Sequence, residues 1–451
     1  MKLRPYPKYK DSGVEQLGEI PEEWEIKRLK YVCSKYAEYG LNIAAENYQI
    51  DGIRFIRTTD IDDYGNLKDE GVYLNESLAK GYILNSGDLL ISRSGTIGRS
   101  FLYDSSKNEK ATYAGYLVRY SLDEKETFPK YIFYFIQGHS FFEWLKTQLI
   151  ETTISNVNGQ KYSNLSVTLP SLDKQIQITN YLDQKTSKID ELTKKNERLI
   201  ELLKERRQAI IFQAVTKGLP AAAAAQAGLD PNVKMKDSGI EWLGKIPEGW
   251  DLKRLKYVCS KYAEYGLNIA AENYQIDGIR FIRTTDIDDY GNLKEEGVYL
   301  DELLSKHYVL NDGDILISRS GTIGRTFLFD SKKNEKATYA GYLVRFCLDR
   351  KETVPKYIFY FAQSHSFFEW LKTQLIETTI GNVNGQKYAN LLVTLPQKEH
   401  QTQIANYLDQ KTSKIDGLIK KIESQIENLK EHRQTLISNI VTGKVRVSDT
   451  A

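Results

Sequence analysis

The sequence predicts an α+β protein: two tandem globular α+β domains joined by two long antiparallel coiled-coil helices, with pseudo-twofold symmetry. Three observations carry this. The first is an internal repeat. Trp24 recurs as Trp250, Cys33 as Cys259 and Tyr181 as Tyr407, always 226 residues apart. Lys27 to Lys68 matches Lys253 to Lys294 without a change, and no gap is needed from 11–215 to 237–441. A repeat this long exceeds any solenoid unit, so each copy is a domain with an attached element. The second is a pair of long heptad stretches, and the third a mixture of strand and helix signals ahead of each.

Each copy opens with a short segment, KDSGVEQLGEIPEEWEIKRLKYV and then KDSGIEWLGKIPEGWDLKRLKYV. A globular region follows, over about 24–170 and 250–396. GIRFIRTTDI, GDLLISRSG and AGYLVRYSL read as strands and PKYIFYFIQGHSFFEWLKTQL as helix, punctuated by turns at Asp51-Gly52, Tyr64-Gly65-Asn66 and Ser86-Gly87-Asp88. After Leu169-Pro170 and Leu395-Pro396 come long helices, about 173–216 and 399–442. Leu182, Ile189, Asn196, Leu203 and Ile210 fall seven apart, with Ile178, Leu192 and Leu199 on a companion seam interrupted by Lys185 and Arg206. The second copy gives Leu408, Ile415, Ile422, Leu429 and Leu436, with Ile404 and Leu418. Such a stripe must be covered, and the other copy's helix is the expected cover. Asn196 either fixes register or is simply solvated. The charge run from Lys194-Lys195 to Arg206-Arg207 reads as a solvated face or a partner surface. The expected division is a domain over 1–170, helix 171–217, linker 218–235 containing Ala221–Ala225, a domain over 236–396, helix 397–444 and a tail over 445–451.

Composition narrows the function. Lys+Arg is 62 against Asp+Glu 60, a formal charge of +2, which excludes a globally basic binder but not a local basic face. Three cysteines, Cys33, Cys259 and Cys347, suit a reducing cytoplasm and build no disulfide framework. The five histidines lack ligand spacing, so no metal site is expected. The chain has no signal-like leader and no run of about 18 apolar residues, so neither secretion nor membrane insertion is expected. Tyrosine is abundant, at 30 residues, and stretches such as Tyr131-Ile132-Phe133-Tyr134 read as packing.

A 44-residue helix is roughly 65 Å long at about 1.5 Å per residue. That suffices to hold two like domains about one DNA turn, ~34 Å, apart on a duplex. Like domains related by a dyad would bind an inverted repeat.

The motifs KDSG-x-E-x-LG-x-IPE-x-W, GD-x-L-ISRSGTIG and LP-x-x-x-x-Q-x-x-I-x-x-YLD-x-K, with the helix ends VTKG and VTGK, resemble the specificity (S) subunit of type I restriction-modification systems. The resemblance spans nearly the whole chain and occurs in both halves. It departs at Gln16, where the second copy has Trp242 and the family usually has Trp. It implies two target recognition domains held by an antiparallel helix pair, and double-stranded DNA as the ligand. It also implies two methyltransferase (M) subunits that modify adenine N6 with S-adenosylmethionine, and restriction (R) subunits that use ATP and magnesium. No cofactor is implied in this chain itself. Near-identical recognition domains imply a nearly palindromic bipartite target.

No catalytic pattern stands out. There is no Asp/Asn-Pro-Pro-Tyr/Phe methyltransferase motif, no phosphate-binding G-x-x-x-x-G-K-S/T, and Gly95-x-x-Gly98 is too short for a dinucleotide fingerprint. Glu22…Glu25-Ile26-Lys27, repeated as Glu248…Asp251-Leu252-Lys253, could pass for a nuclease pattern, though Trp24 beside it suggests packing.

Residues able to read DNA concentrate in loops, since Arg and Lys suit phosphate or guanine and Asn and Gln suit adenine. The candidates are Arg57, Thr58 and Thr59, repeated as Arg283, Thr284 and Thr285. Arg93, Ser94, Thr96 and Arg99 follow, with Arg319, Ser320, Thr322 and Arg325. Asn156, Asn158, Gln160 and Lys161 recur as Asn382, Asn384, Gln386 and Lys387. Lys110 and Tyr113, with Lys336 and Tyr339, form a weaker set. Each has a plainer alternative; for Arg57 it is a pair with Asp60 and nothing more. A different class of function, a coiled-coil scaffold presenting two identical protein-binding domains, is also compatible with duplication and heptads.

Overall fold

A computed structural model describes residues 4–150, 156–230, 232–376 and 381–447. Of the tail expected over 445–451, residues 448–451 lie outside the described residues. The chain gathers into two compact units that cut across the two copies. One holds the residues up to Asn196 and those from Ser424 onward; the other is Glu197–Glu423. Both long helices, Leu172–Lys217 and Lys398–Val441, therefore contribute to both units.

The first unit is built on a four-stranded antiparallel sheet. Its order is Glu38–Tyr39, Leu117–Ser121, Asp88–Ser92 and Ser100–Leu102. Leu89 and Ile91 face one apolar cluster and Leu90 faces another, so the central strand is buried on both sides and its sequence runs apolar without alternation. On one side packs the helix Pro129–Gln137, whose proline stands at the first helical turn, where its missing N–H costs nothing. On the other lies a three-stranded sheet. There Ile53–Ile56 pairs antiparallel with Val72–Leu74 and parallel with Ala111–Tyr113. A two-stranded ladder, Glu25–Arg28 with Ser166–Leu169, links the opening segment to the strand leading into the first long helix. Lys27, part of the nuclease-like pattern, is committed there to Glu126 at 2.8 Å.

The same unit closes on the C-terminal helix. Ile437, Ile440 and Val441 join Trp24, Tyr131, Ile178 and Leu182 in one core. Lys174 Nζ reaches Val447 O, while Asp190 meets Arg433 at 2.8 Å, so the two helical segments run antiparallel. Tyr131 and Thr168 both donate to Val441 O. A bridge between Arg4 and Arg446 ties the start of the described chain to its end.

The second unit repeats this with the copies exchanged. Ile211, Ala214 and Val215 from the first long helix pack with Trp250, Tyr357 and Leu408, and Val215 O accepts from Tyr357 and Thr394. Gln403 reaches Ala227 O and Asp416 meets Arg207, so here too the segments are antiparallel. The alanine run forms a short helix, Ala221–Gln226, with Ala224 buried.

The helix seam differs from its expected residues. Leu192, Leu199 and Leu418 are exposed. The buried companion positions are Thr179, Thr186, Thr193, Ile200 and Arg207, and in the second copy Ala405, Thr412, Ile419, Ile426 and Arg433. Threonine is tolerated because its hydroxyl bonds back within its own helix. Thr179, Thr186 and Thr193 donate to the carbonyls of Gln175, Leu182 and Ile189 at 3.0, 2.8 and 3.0 Å, leaving the methyl groups to pack. Arg207, expected in a solvated charge run, is 4% exposed.

Burial pushes the thiols of Cys33 and Cys259 up to about 12 and that of Cys347 up to about 11. The thiolate is the reactive form. Iodoacetamide at pH 8 is thus expected to label the native chain at least tenfold more slowly than the chain in guanidinium, where all three thiols should react; equal rates would contradict this placement.

Candidate nucleic-acid interface

In the first unit three separate loops meet at Arg93. Its guanidinium lies over the Tyr39 ring, 4.9 Å from the centroid, and its Nε donates to Asn156 Oδ1 at 3.3 Å. The backbone locks the junction: Arg93 N donates to Tyr116 O at 2.9 Å and Val157 N to Arg93 O at 3.0 Å. Tyr39 in turn accepts from Gly159 N at 2.9 Å. Gly95 takes φ +72° at the tip of the loop, a conformation disfavoured for other residues, with open space around it. A half-exposed arginine is thus held by stacking and by a side-chain amide, which suits bidentate hydrogen bonding to a base edge or a phosphate.

Beside Arg93 is a cleft of about 590 Å³ lined by Asn42, Tyr48, Arg57, Thr59, Ser94 and Tyr116. Tyr116 is 63% exposed there. Arg57 makes a two-pronged pair with Asp60, at 3.0 and 2.7 Å, and this pair holds the guanidinium firmly charged. The fork is directed at its own loop, although the side chain still borders the cleft.

Burial corrects some sequence candidates, and local partners engage others. Tyr113 and Tyr339 are buried, because the edge strand carrying each packs its ring between the two sheets, and burial pushes their hydroxyls up in pKa. They cannot touch DNA. The hydroxyls of Thr58 and Thr284 are enclosed as well. Arg99 donates to Ile61 O and pairs with Asp63, and Arg325 pairs with Asp289 at 2.7 Å. Arg99 lines, with Thr96, a different cavity of about 260 Å³ beside Gln137 and Arg433. Lys110 and Lys336 pair with Glu76 and Glu302, each at 2.5 Å. Asn158 and Asn384 cap the short helices Gly159–Ser163 and Gly385–Ala389, accepting from the Lys161 and Lys387 backbone N–H at 2.9 Å. Gln160 and Gln386 remain exposed. Lys161 and Lys387 reach back to Gln148 O and Gln374 O.

The second unit reproduces the junction. Arg319 lies 4.9 Å from the Tyr265 ring centroid and donates to Asn382 at 3.3 Å. Its cleft, about 740 Å³, is lined by Arg283, Thr285, Ser320 and Tyr342 among others. Sequence reasoning missed Tyr39, Tyr48 and Tyr116 and their repeats; the one available signal was Tyr116 standing after Gly115, at the mouth of a strand.

Among the described residues no cluster of three or more His, Cys, Asp or Glu side chains could hold a metal, and no helix is long and apolar enough to cross a membrane. Fold and site together define a duplicated protein in which each unit carries a like arginine junction and each long helix contributes to both units. The profile of the type I restriction modification DNA specificity domain matches residues 21–202 and again 247–428, and the chain belongs to that family. It is a specificity component, not a catalytic one. The chain is 24% identical to the type I restriction enzyme MjaVIII specificity subunit of Methanocaldococcus jannaschii, over 98% of both chains. It is 21% identical to the EcoBI specificity subunit of Escherichia coli, over 96% of this chain and 89% of that one. A chain solved in work on complex assembly and conformational transition of the type I R-M system superposes with a TM-score of 0.59 at 17% identity. The match covers 94% of this chain and 99% of that one and is a likeness of fold.

Proposed function

We propose that this chain is the subunit that gives a type I restriction-modification enzyme its DNA sequence specificity. It reads a bipartite, near-palindromic target and positions two adenine-N6 methyltransferase subunits on it, and with restriction subunits it directs cleavage. S-adenosylmethionine belongs to the methyltransferase partners, and ATP and magnesium to the restriction partners; the assembly works in the cytoplasm. The observation that carries the near-palindromic target is the recurrence of one junction, Arg93–Tyr39–Asn156 and Arg319–Tyr265–Asn382, at the same distances in both units. Equal readers select equal half-sites. Within each unit, the exposed Gln160 or Gln386 and the arginine at the junction are the side chains best placed to meet base edges, with Thr59 and Ser94 beside them.

The test is genome-wide adenine-methylation mapping in cells expressing this chain with its methyltransferase subunit. The expected motif is an inverted repeat of one half-site around a nonspecific spacer. Two unrelated half-sites, or methylation independent of this chain, would overturn the reading.

A further inference from the structure

We propose that a ledge formed by Lys30, Tyr31, Lys35 and Tyr36, and its repeat Lys256, Tyr257, Lys261 and Tyr262, holds the phosphate backbone of duplex DNA beside the base-reading junction. This rests on the specificity reading and adds to it a second, sequence-independent contact.

The aromatic rings stand out in solvent. Tyr31 is 65% and Tyr36 93% exposed, and Tyr257 and Tyr262 are 67% and 90% exposed. Lys30 and Lys256 each lie 5.1 Å from the ring centroid of the following tyrosine, so cation and phenol are presented together. In the first unit these residues border a groove of about 540 Å³ that reaches Tyr120 and Ser163.

The local charge is positive and is not cancelled. Lys30 and Arg28 lean on Asn164 Oδ1, a neutral amide, at 3.0 and 3.4 Å. The nearby carboxylates are engaged elsewhere: Glu126 holds Lys27, and Glu38 pairs with the buried Arg119. Lysine ammonium and tyrosine hydroxyl groups are among the usual donors to phosphate oxygens.

The ledge is also continuous with the junction. The short helix Gly159–Ser163 lies between them. At its start Gly159 packs on Ala37 and Tyr39, the latter carrying Arg93, and just past its end Asn164 receives Lys30. A duplex whose base edges meet Arg93 and Gln160 would have a backbone strand within reach of Lys30 and Lys35.

The experiment compares the full chain, assembled with its methyltransferase subunits, against the variant Lys30→Gln, Lys35→Gln, Lys256→Gln, Lys261→Gln. The probe is a duplex oligonucleotide carrying the mapped methylation target, titrated across a salt series. Each neutralised phosphate contributes roughly 0.9 to the slope of log affinity against log salt, so removing four lysines should flatten it by about 3 to 4. The methylated sequence should not change. Lys10→Gln with Lys236→Gln, on the opening hairpins and not among the residues of the ledge, should leave the slope as it is, and Tyr36→Ala with Tyr262→Ala should weaken binding without altering the motif. An unchanged slope in the fourfold variant overturns the proposal. So does a changed methylation motif, which would make the ledge a reader of bases. If the unsubstituted assembly shows no preference for the target, it is the specificity reading that fails instead.

Discussion

Arg433→Ala is expected to destabilise the first unit by about 3–5 kcal/mol, although the residue belongs to the second copy. Arg433 is only 7% exposed. Its Nε meets Asp190 at 2.8 Å, its Nη1 meets Gln137 Oε1 at 2.9 Å, and its guanidinium lies 4.9 Å from the Tyr64 ring centroid. Gln137 donates in turn to Tyr64 O. Truncation removes every interaction the guanidinium makes and leaves Asp190 without its cation. Burial already raises the Asp190 carboxyl above the ordinary carboxylate range, and Arg433 opposes that rise most, with Lys194 a lesser aid. Without the arginine the carboxyl rises further. A group with a raised folded pKa favours the folded state while protonated and stops doing so as pH climbs through that value. The deficit should accordingly be larger at pH 8 than at pH 5. Urea unfolding at both pH values measures it. Hydrogen exchange locates it: amides in Pro129–Gln137 should lose protection while those in Pro355–Phe361 keep theirs. Arg207→Ala should give the mirror result, through Asp416 and Gln363. Exchange that rises only in the mutated residue's own copy would contradict the helix exchange.

The second large effect is functional. Arg93→Ala combined with Arg319→Ala should weaken target binding by the assembled enzyme by about 2–6 kcal/mol, at ~1–3 kcal/mol for each bidentate arginine removed. The fold should survive, because both arginines are half-exposed and Tyr39 and Tyr265 stay anchored by Gly159 N and Gly385 N. Gel-shift titration checks affinity and a melting curve checks folding. Arg93→Ala alone should relax one half-site only, visible as a degenerate half of the methylation motif. A double variant that methylates the original target at the original rate would remove Arg93 and Arg319 from the reading surface.

Duplication, the long helices and the loops that carry Arg93 and Asn156 were legible because each leaves a local trace: a fixed offset, a heptad, a glycine turn between strands. What was not legible depends on packing between distant segments. Thr186 and Thr193 look polar, yet they lie in the helix seam because their hydroxyls are satisfied within the helix; Leu192 and Leu199 look like seam residues and face solvent. Arg207 reads as one more surface charge until Asp416 is placed against it. Tyr113 follows a threonine in a short strand, and only the second sheet packed over it shows that its ring is interior. Asn158 has the right amide for adenine, but its oxygen caps a helix, so its replacement should cost stability, about 1 kcal/mol, before it changes any base preference.

Beyond the shared apolar core, the exchanged helices grip each globular domain through a short set of polar handles: a glutamine amide, a tyrosine and threonine sharing one carbonyl, and an aspartate-bound arginine. None of these residues belongs to the Arg93 junction itself. A module with different reading loops but the same handles would dock on an unaltered frame, so the protein can acquire a new vocabulary without any redesign of its skeleton.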